Sequence, residues 1–560
     1  MLGKSQTTKN NSVRDCLLLI SVTLFIYLPF LGLPVLDGNE PVRVIIAKEM
    51  MKTGNWIIPI LHGKPYFTKP PMMNWLIAGS GGIFGTVNEW TSRVPSVLSV
   101  FATAFSIYVM TGKWLKREGR LFAAVTVLGM IGLIKKGRTA EIDTLFIFFV
   151  TLILLIWING YTIQRKPLIL WSVSLTLLGI GFLAKGPQII GYFYLSIFAY
   201  LFYRKNLSFF FSRYHLIGFF CFFFVLALYL FFVLQWVTPD EYLKMWASQI
   251  AERAESKHSL SFLQHILTYP IGAVASFLPC MLFLIPLVYY KNLRKKAKEV
   301  FQNEILIYCF IIVVVNFPLY WLLPNARVRY FLPAGPFVAI GTAAVFEFYL
   351  QKAKENPEIQ NFFKGLLKLC LWTALISSVV TFIVLLFIKT EISLTPSLIF
   401  LVFLLLLLNL YILYKTRSIL LRTVPIWIIL NTGLFYLTCV AIDTQLDLKK
   451  ENNPKSIAKQ INPLLPEDIG VIYEIGYDRF LGTTCYLDKE VIQLDNFSQL
   501  KSLVNTGGKI YFIFDTQYLN TENEREILSR EIAWNKVYSH FLKNSKGDIV
   551  VGYLKQSQGI

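Results

Sequence analysis

The chain has 560 residues, 55% hydrophobic and 15% aromatic but only 16% charged, with a mean hydropathy of +0.54. Disorder, collagen-like repeats and a soluble multidomain enzyme are excluded, because apolar runs of bilayer-spanning length recur from Leu17 to Val440 and no water-compatible core could hide them. The formal charge of +20 is concentrated in short loops between those runs, as orientation signals are, and no nucleic-acid-binding motif accompanies it.

Apolar segments near 16–36, 93–114, 121–136, 141–159, 168–184, 187–203, 215–236, 270–290, 304–323, 329–349, 369–388, 396–414 and 421–441 predict roughly thirteen transmembrane helices. Lys4, Lys9 and Arg14 precede the first run, which is long for a signal-peptide core and lacks a clear small-residue cleavage site, so it reads as a retained helix. With a cytoplasmic N-terminus the inside loops are 113–120, 165–166, 204–213, 291–298, 352–368 and 415–422, nearly all basic and short, which satisfies the positive-inside rule. The seven cysteines form no CxxC or Cys/His cluster, so neither a disulfide framework nor a zinc site is signalled.

This orientation leaves a transmembrane domain over 1–441 with two long outer loops, 37–92 and 237–269, and an outer segment over 442–560. The first loop is read as a helix over 42–52 followed by rigid turns at Gly54, Pro59, Pro65 and Pro70-Pro71. The second carries an amphipathic run over 241–254 suited to a membrane surface. From Asp447 onward alternating runs at 471–475, 509–515 and 548–554 predict strands, with helices at 456–461 and 522–533, giving a small α/β domain outside the membrane. No GxGxxG or P-loop pattern marks it as a nucleotide site. The fold class expected is an α-helical polytopic membrane protein with that domain appended.

Charged residues at the outer helix mouths carry the chemistry. Asp37 and Glu40, three residues apart, suit either catalysis or helix capping by Asp37 or Asn39 ahead of Pro41. Tyr66 and Lys69 lie in the proline-stiffened segment 62–71, where a lysine suits a lipid phosphate, or else snorkels beside aromatic anchors. The turn 135–143 is unusually charged for its length, and Arg138, Glu141 and Asp143 read as lining a cavity, the alternative being a salt-bridged turn. Lys185 interrupts about forty apolar residues at a Gly-Pro break. Arg327, Arg329 and Tyr330 supply guanidiniums and a phenol for anion recognition, and Arg253 adds another cation. The cationic excess predicts an anionic, lipid-borne ligand, and carboxylates beside it suit glycosyl transfer.

In order, the stretches IAKEMMKTGNWIIPILHGKPYFTKPPMMNWL, WTSRVPS, GRTAEIDTLF, GFLAKGP and NARVRYFLP resemble the GT-C glycosyltransferases of the protein O-mannosyltransferase and aminoarabinose (lipid A) transferase type. The resemblance implies a polyprenyl-phosphate-linked sugar donor, and transfer to a lipid, glycan or protein acceptor on the periplasmic face of the inner membrane. It implies that Lys69, Lys185 and Arg253 bind the donor phosphate, that Tyr330 neighbours it, and that Asp143 shares the cavity. It matches Glu40 to the glutamate of an acidic pair whose aspartate is here Asn39, leaving Asp37 as an alternative partner. Thr68 stands where the aminoarabinose enzymes carry a metal-binding glutamate, so the sequence implies no cofactor and leaves a divalent metal open. The rival reading is a flippase or transporter of a lipid-linked sugar. Such proteins commonly show internal repeats, and none is evident.

Overall fold

Within a bilayer every backbone N–H and C=O must find its partner in the chain, a demand that apolar runs meet as helices. In the computed structural model the main helices, within the apolar runs and outside them, are α1 (Leu2–Tyr27), α2 (Glu40–Thr53), α3 (Met72–Phe84), α4 (Glu89–Met110), α5 (Arg117–Leu128), α6 (Ile131–Gly137), α7 (Asp143–Thr162), α8 (Pro167–Lys185), α9 (Gln188–Tyr203), α10 (Arg213–Val233), α11 (Phe262–Ser276), α12 (Ile285–Tyr289), α13 (Glu304–Trp321), α14 (Gly335–Lys352), α15 (Pro357–Phe387), α16 (Val424–Leu448) and α17 (Pro454–Ile461). The structure describes residues 2–244, 262–324, 326–353, 355–387, 421–448, 450, 452–476, 480–503, 509–520, 522–542 and 547–554, with a few isolated residues between 388 and 420. The expected run at 396–414 therefore lies mostly outside the described residues, as do Arg253 and most of the amphipathic run 241–254.

Among the described residues eight helices are long and apolar enough to cross a membrane, or nine when a bent pair counts as one span. α10 shows why burial inside the protein is not what holds such a helix: it is the most apolar of the eight and only 17% buried, with Phe220 and Phe224 turned outward where lipid would meet them. Three expected spans differ in form. The first helix stops at Tyr27 instead of running to 36, ahead of Pro29 and Pro34, which lack the N–H a continuing helix needs. The run 121–136 divides into α5 and α6 because Met130 adopts an extended conformation with ψ 127°. The run at 270–290 bends by 90° between Phe262–Ser276 and Cys280–Tyr289. The two breaks meet, and Ile131 N–H, freed at the start of α6, donates to the Leu278 carbonyl at 2.9 Å.

The chain divides into two compact units: Met1–Leu31 with Thr68–Met73 and Arg93–Ile442, and Gly32–Phe67 with Asn74–Ser92 and Asp443–Ile560. The first is the helical unit. In the second, strands β3 (Val471–Ile475), β4 (Glu490–Leu494), β5 (Tyr511–Asp515), β6 (Trp534–Leu542) and β7 (Gly547–Leu554) form a mixed sheet ordered β4-β3-β5-β7-β6, beside a two-stranded ribbon of β1 (Ile60–Leu61) and β2 (Lys64–Pro65). β3 is parallel to β4 and β5, while β7 is antiparallel to β5 and β6. Apolar layers cover both faces: Ile457, Ile461, Ile472 and Ile513 on one, Phe497, Phe512 and Phe514 on the other. Three strands match expectation. β6 escapes a period-two reading because a register shift between Lys536 and Tyr538 interrupts its alternation. β4 presents a single fully buried side chain, Val491, too little pattern to read.

First-loop segments pack within this second unit. Lys48 Nζ donates to the Cys485 carbonyl at 3.0 Å, Lys52 pairs with Glu490 at 2.5 Å, and Lys455 pairs with Glu89 at 2.5 Å. Gln493 N–H donates to the His62 carbonyl, while His62 Nδ1 lies 2.8 Å from Glu474 Oε2, both side chains buried. Burial, with Glu89 and Glu40 adding to it against Lys48, pushes the Cys485 thiol up to about 11. Alkylation at pH 8 followed by peptide mass spectrometry is therefore expected to leave Cys485 unmodified in the native chain and to label it after denaturation. Equal labelling rates in the two states would contradict this packing.

Candidate active site

α8 has to end at Lys185: Gly186 adopts φ +90°, conformational ground open to glycine, and Pro187 supplies no N–H. The lysine thus stands at the negative end of its helix dipole, while Asp143 opens α7 at the positive end of another, each charge on the side its helix favours. Their side chains meet, Lys185 Nζ to Asp143 Oδ1 at 2.7 Å, and both are nearly inaccessible. Lys136, in the last turn of α6, reaches Glu141 Oε2 at 2.9 Å, and Arg329 Nη1 reaches the same oxygen at 2.7 Å. Lys136 Nζ and Arg329 Nη1 are each 3.7 Å from Asp143 Oδ2.

Three cations thus share two carboxylates and retain one positive charge among groups largely removed from water. There an added anion is attracted far more strongly than at an exposed surface. Aromatic rings complete the surroundings. Lys185 Nζ lies 4.7 Å from the Phe146 ring centre and 5.2 Å from that of Tyr330. Tyr192 donates its hydroxyl proton to the Tyr330 carbonyl at 2.8 Å and stacks on Tyr320, whose hydroxyl accepts from Gln188. Burial raises the Glu141 carboxyl above the usual carboxylate range, Lys136 opposing and Asp143 reinforcing the shift.

The structure brings Asp143, Lys185, Glu141, Arg329 and Tyr330 together as one cluster in the helical unit. Lys69 belongs to the same unit and is half-buried. Its neighbour Pro70 lies 4.0 Å from where a Cβ on Gly186 would stand, which sets the KPP segment against the end of α8. Arg138 does not join the cluster: buried, it donates to the carbonyls of Ile26 and Tyr27 (3.1 and 2.7 Å) and of Pro29 (2.6 Å), clamping the end of α1. Arg327 is exposed.

In the second unit Tyr66 lies under the Arg43 guanidinium, 5.5 Å from ring centre to Cζ. Asp37 is exposed and Glu40 buried. The expected capping by Asn39 does not form through its side chain. Glu40 instead reaches back to accept from the Asp37 N–H at 3.1 Å, satisfying a backbone donor ahead of α2. Lys136 is a member that charge alone does not single out, although it lies in the same charged turn 135–143. Among the described residues no group of three or more His, Cys, Asp and Glu side chains is arranged to hold a metal ion.

Residues 68–236 match the family model described as "Dolichyl-phosphate-mannose-protein mannosyltransferase". The chain is 32% identical over 176 residues to an undecaprenyl phosphate-alpha-4-amino-4-deoxy-L-arabinose arabinosyl transferase of Pseudomonas savastanoi pv. phaseolicola, covering 31% of this chain and 33% of that protein. It is 30% identical over 189 residues to a second such transferase from Pseudomonas fluorescens, covering 33% and 32%. The chain therefore matches about a third of the length of these curated relatives. The crystal structure of ArnT from Cupriavidus metallidurans bound to undecaprenyl phosphate superposes with a TM-score of 0.70 at 15% identity, over 96% of this chain and 97% of that one. The fold is thus shared over nearly the whole chain.

Proposed function

We propose that this chain, which has the fold of ArnT and the ordered motifs of the GT-C glycosyltransferases, is a membrane glycosyltransferase that moves a sugar from a polyprenyl-phosphate donor to a lipid, glycan or protein acceptor. The observation that carries the reading is the buried Asp143–Lys185 pair with Lys136 and Arg329 beside it, a cationic excess suited to one phosphate. The donor phosphate enters among Lys185, Lys136 and Arg329, with Tyr330 alongside, and Lys69 and Arg253 contribute as the motif resemblance implies.

An acceptor oxygen then attacks the anomeric carbon, the bond from that carbon to the phosphate oxygen breaks, and polyprenyl phosphate departs with its added negative charge held by the cations. The acceptor proton passes to a carboxylate, and Asp37 and Glu40 are the residues we assign to that role. Asp143 orients the Lys185 ammonium. The reaction takes place on the outer face of the cytoplasmic membrane, the orientation that the basic loops support.

Mass spectrometry of envelope glycolipids and glycoproteins from a deletion strain tests the reading. Loss of one sugar from one acceptor class, restored by the wild-type gene, is expected. Unchanged acceptors together with accumulation of an inward-facing lipid-linked sugar would replace the transferase with a flippase.

A further inference from the structure

We propose that a cavity in the helical unit, apart from the reaction cluster, holds the phosphate headgroup of an anionic glycerophospholipid. It encloses about 300 Å³ between α1, α5 and α16, and α5 and α6 separate it from the reaction cluster, with Arg117 at one end of the pair and Lys136 at the other. Three guanidiniums line it, from Arg14, Arg117 and Arg422.

One of the three is fixed by the protein itself. Asp15, 2% exposed, accepts from Arg117 Nε at 2.8 Å and Nη2 at 2.5 Å, and from the Tyr108 hydroxyl at 2.6 Å. Arg120 lies over the Tyr108 ring at 4.9 Å and braces it. The Asp15 charge is therefore spent on holding Arg117 in place. Arg14 and Arg422 make no ion pair or hydrogen bond among the described residues and face outward. Glu118 also borders the cavity, so its five charged groups sum to a single positive charge.

Position selects a lipid over a free anion. Arg14 stands two residues before the apolar run that opens at Cys16, Arg422 two before Val424, and Arg117 one helical turn before Leu121. All three thus mark the same boundary of the apolar layer, where phospholipid phosphates lie. Behind them the wall turns apolar, through Leu18, Phe122, Val125 and Ile426. An acyl chain can follow that wall, whereas inorganic phosphate gains nothing from it. Orientation signalling alone requires the arginines but neither the cavity nor the Asp15 brace.

Native mass spectrometry of the full chain, purified in detergent and supplied with phosphatidylglycerol or phosphatidylcholine of identical acyl chains, tests the assignment. Phosphatidylglycerol is expected to be retained about 30-fold better, as two arginines near a membrane surface provide. The preference should fall in Arg14→Gln and in Arg422→Gln and vanish in the double variant, with melting temperature unchanged because both side chains are exposed. Equal retention of the two lipids, or a preference that survives in the double variant, would overturn the proposal. Displacement by millimolar inorganic phosphate would also overturn it, in favour of a free-anion site. Neither arginine belongs to the transfer machinery, so these results are independent of whether the chain transfers a sugar.

Discussion

Replacing Lys185 with methionine is expected to lower sugar transfer by about 10²–10³-fold, the cost of removing one preorganised donor from a developing anion. The substitution also leaves Asp143 facing only the more distant Lys136 and Arg329, each at 3.7 Å. Breaking a buried ion pair by deleting one partner costs about 3–5 kcal/mol, and those two cations keep the loss below that range. Activity and stability must therefore be separated. In the double variant Lys185→Met with Asp143→Asn both buried charges are gone, so melting temperature should recover while transfer does not. Single-turnover transfer in nanodiscs, measured beside thermal unfolding, reads both. Recovery of transfer together with stability would make the pair structural and remove the phosphate from this place.

Glu40→Gln is the second large effect. Glutamine keeps an oxygen that can accept from the Asp37 N–H, so if Glu40 only satisfies that backbone donor the variant should melt and turn over nearly as the wild type does. Loss of a general base instead costs about 10²–10⁴-fold in rate with little change in stability. Asp37→Asn discriminates between the two candidate bases, because Asp37 is exposed and its side chain makes no hydrogen bond among the described residues. A rate loss in one variant alone, at constant melting temperature and constant donor binding, identifies the base. Near wild-type transfer in both would leave the pair as part of the α2 entry only.

Much of the reaction cluster is legible in the sequence because charge inside an apolar chain is expensive and so conspicuous. Lys185 stands out against apolar neighbours before a Gly-Pro stop, and Asp143 and Glu141 stand out in a turn too short to need them. Composition does not reveal which way a turn aims its side chains. Arg138 and Lys136 look equivalent on paper, yet Arg138 follows the last residue of α6 and turns to three carbonyls at the end of α1, while Lys136, two residues earlier, turns to Glu141 and Asp143. The break between α5 and α6 is hidden for a related reason. Its freed N–H is satisfied by Leu278, about 150 residues away, and hydropathy averaged along the chain contains no such partner. Of the five strands of the mixed sheet, β3, β5 and β7 are legible, while β6, with its register shift, and β4, with one buried side chain, are not.

The pairs Lys48–Cys485, Lys52–Glu490 and Lys455–Glu89 join positions some 370 to 440 residues apart in the sequence. Synthesis proceeds at about 5–20 residues per second, so α2 and the β1–β2 ribbon leave the ribosome roughly 20–90 seconds before their partners exist. Through that interval Glu89 and His62 have no Lys455 or Glu474 to meet, and the early segments must wait as unfinished surface. Completion of the second unit is thereby a checkpoint on the whole polypeptide. A chain interrupted shortly before Pro454 carries most of its helices and still presents a first loop with its binding partners missing.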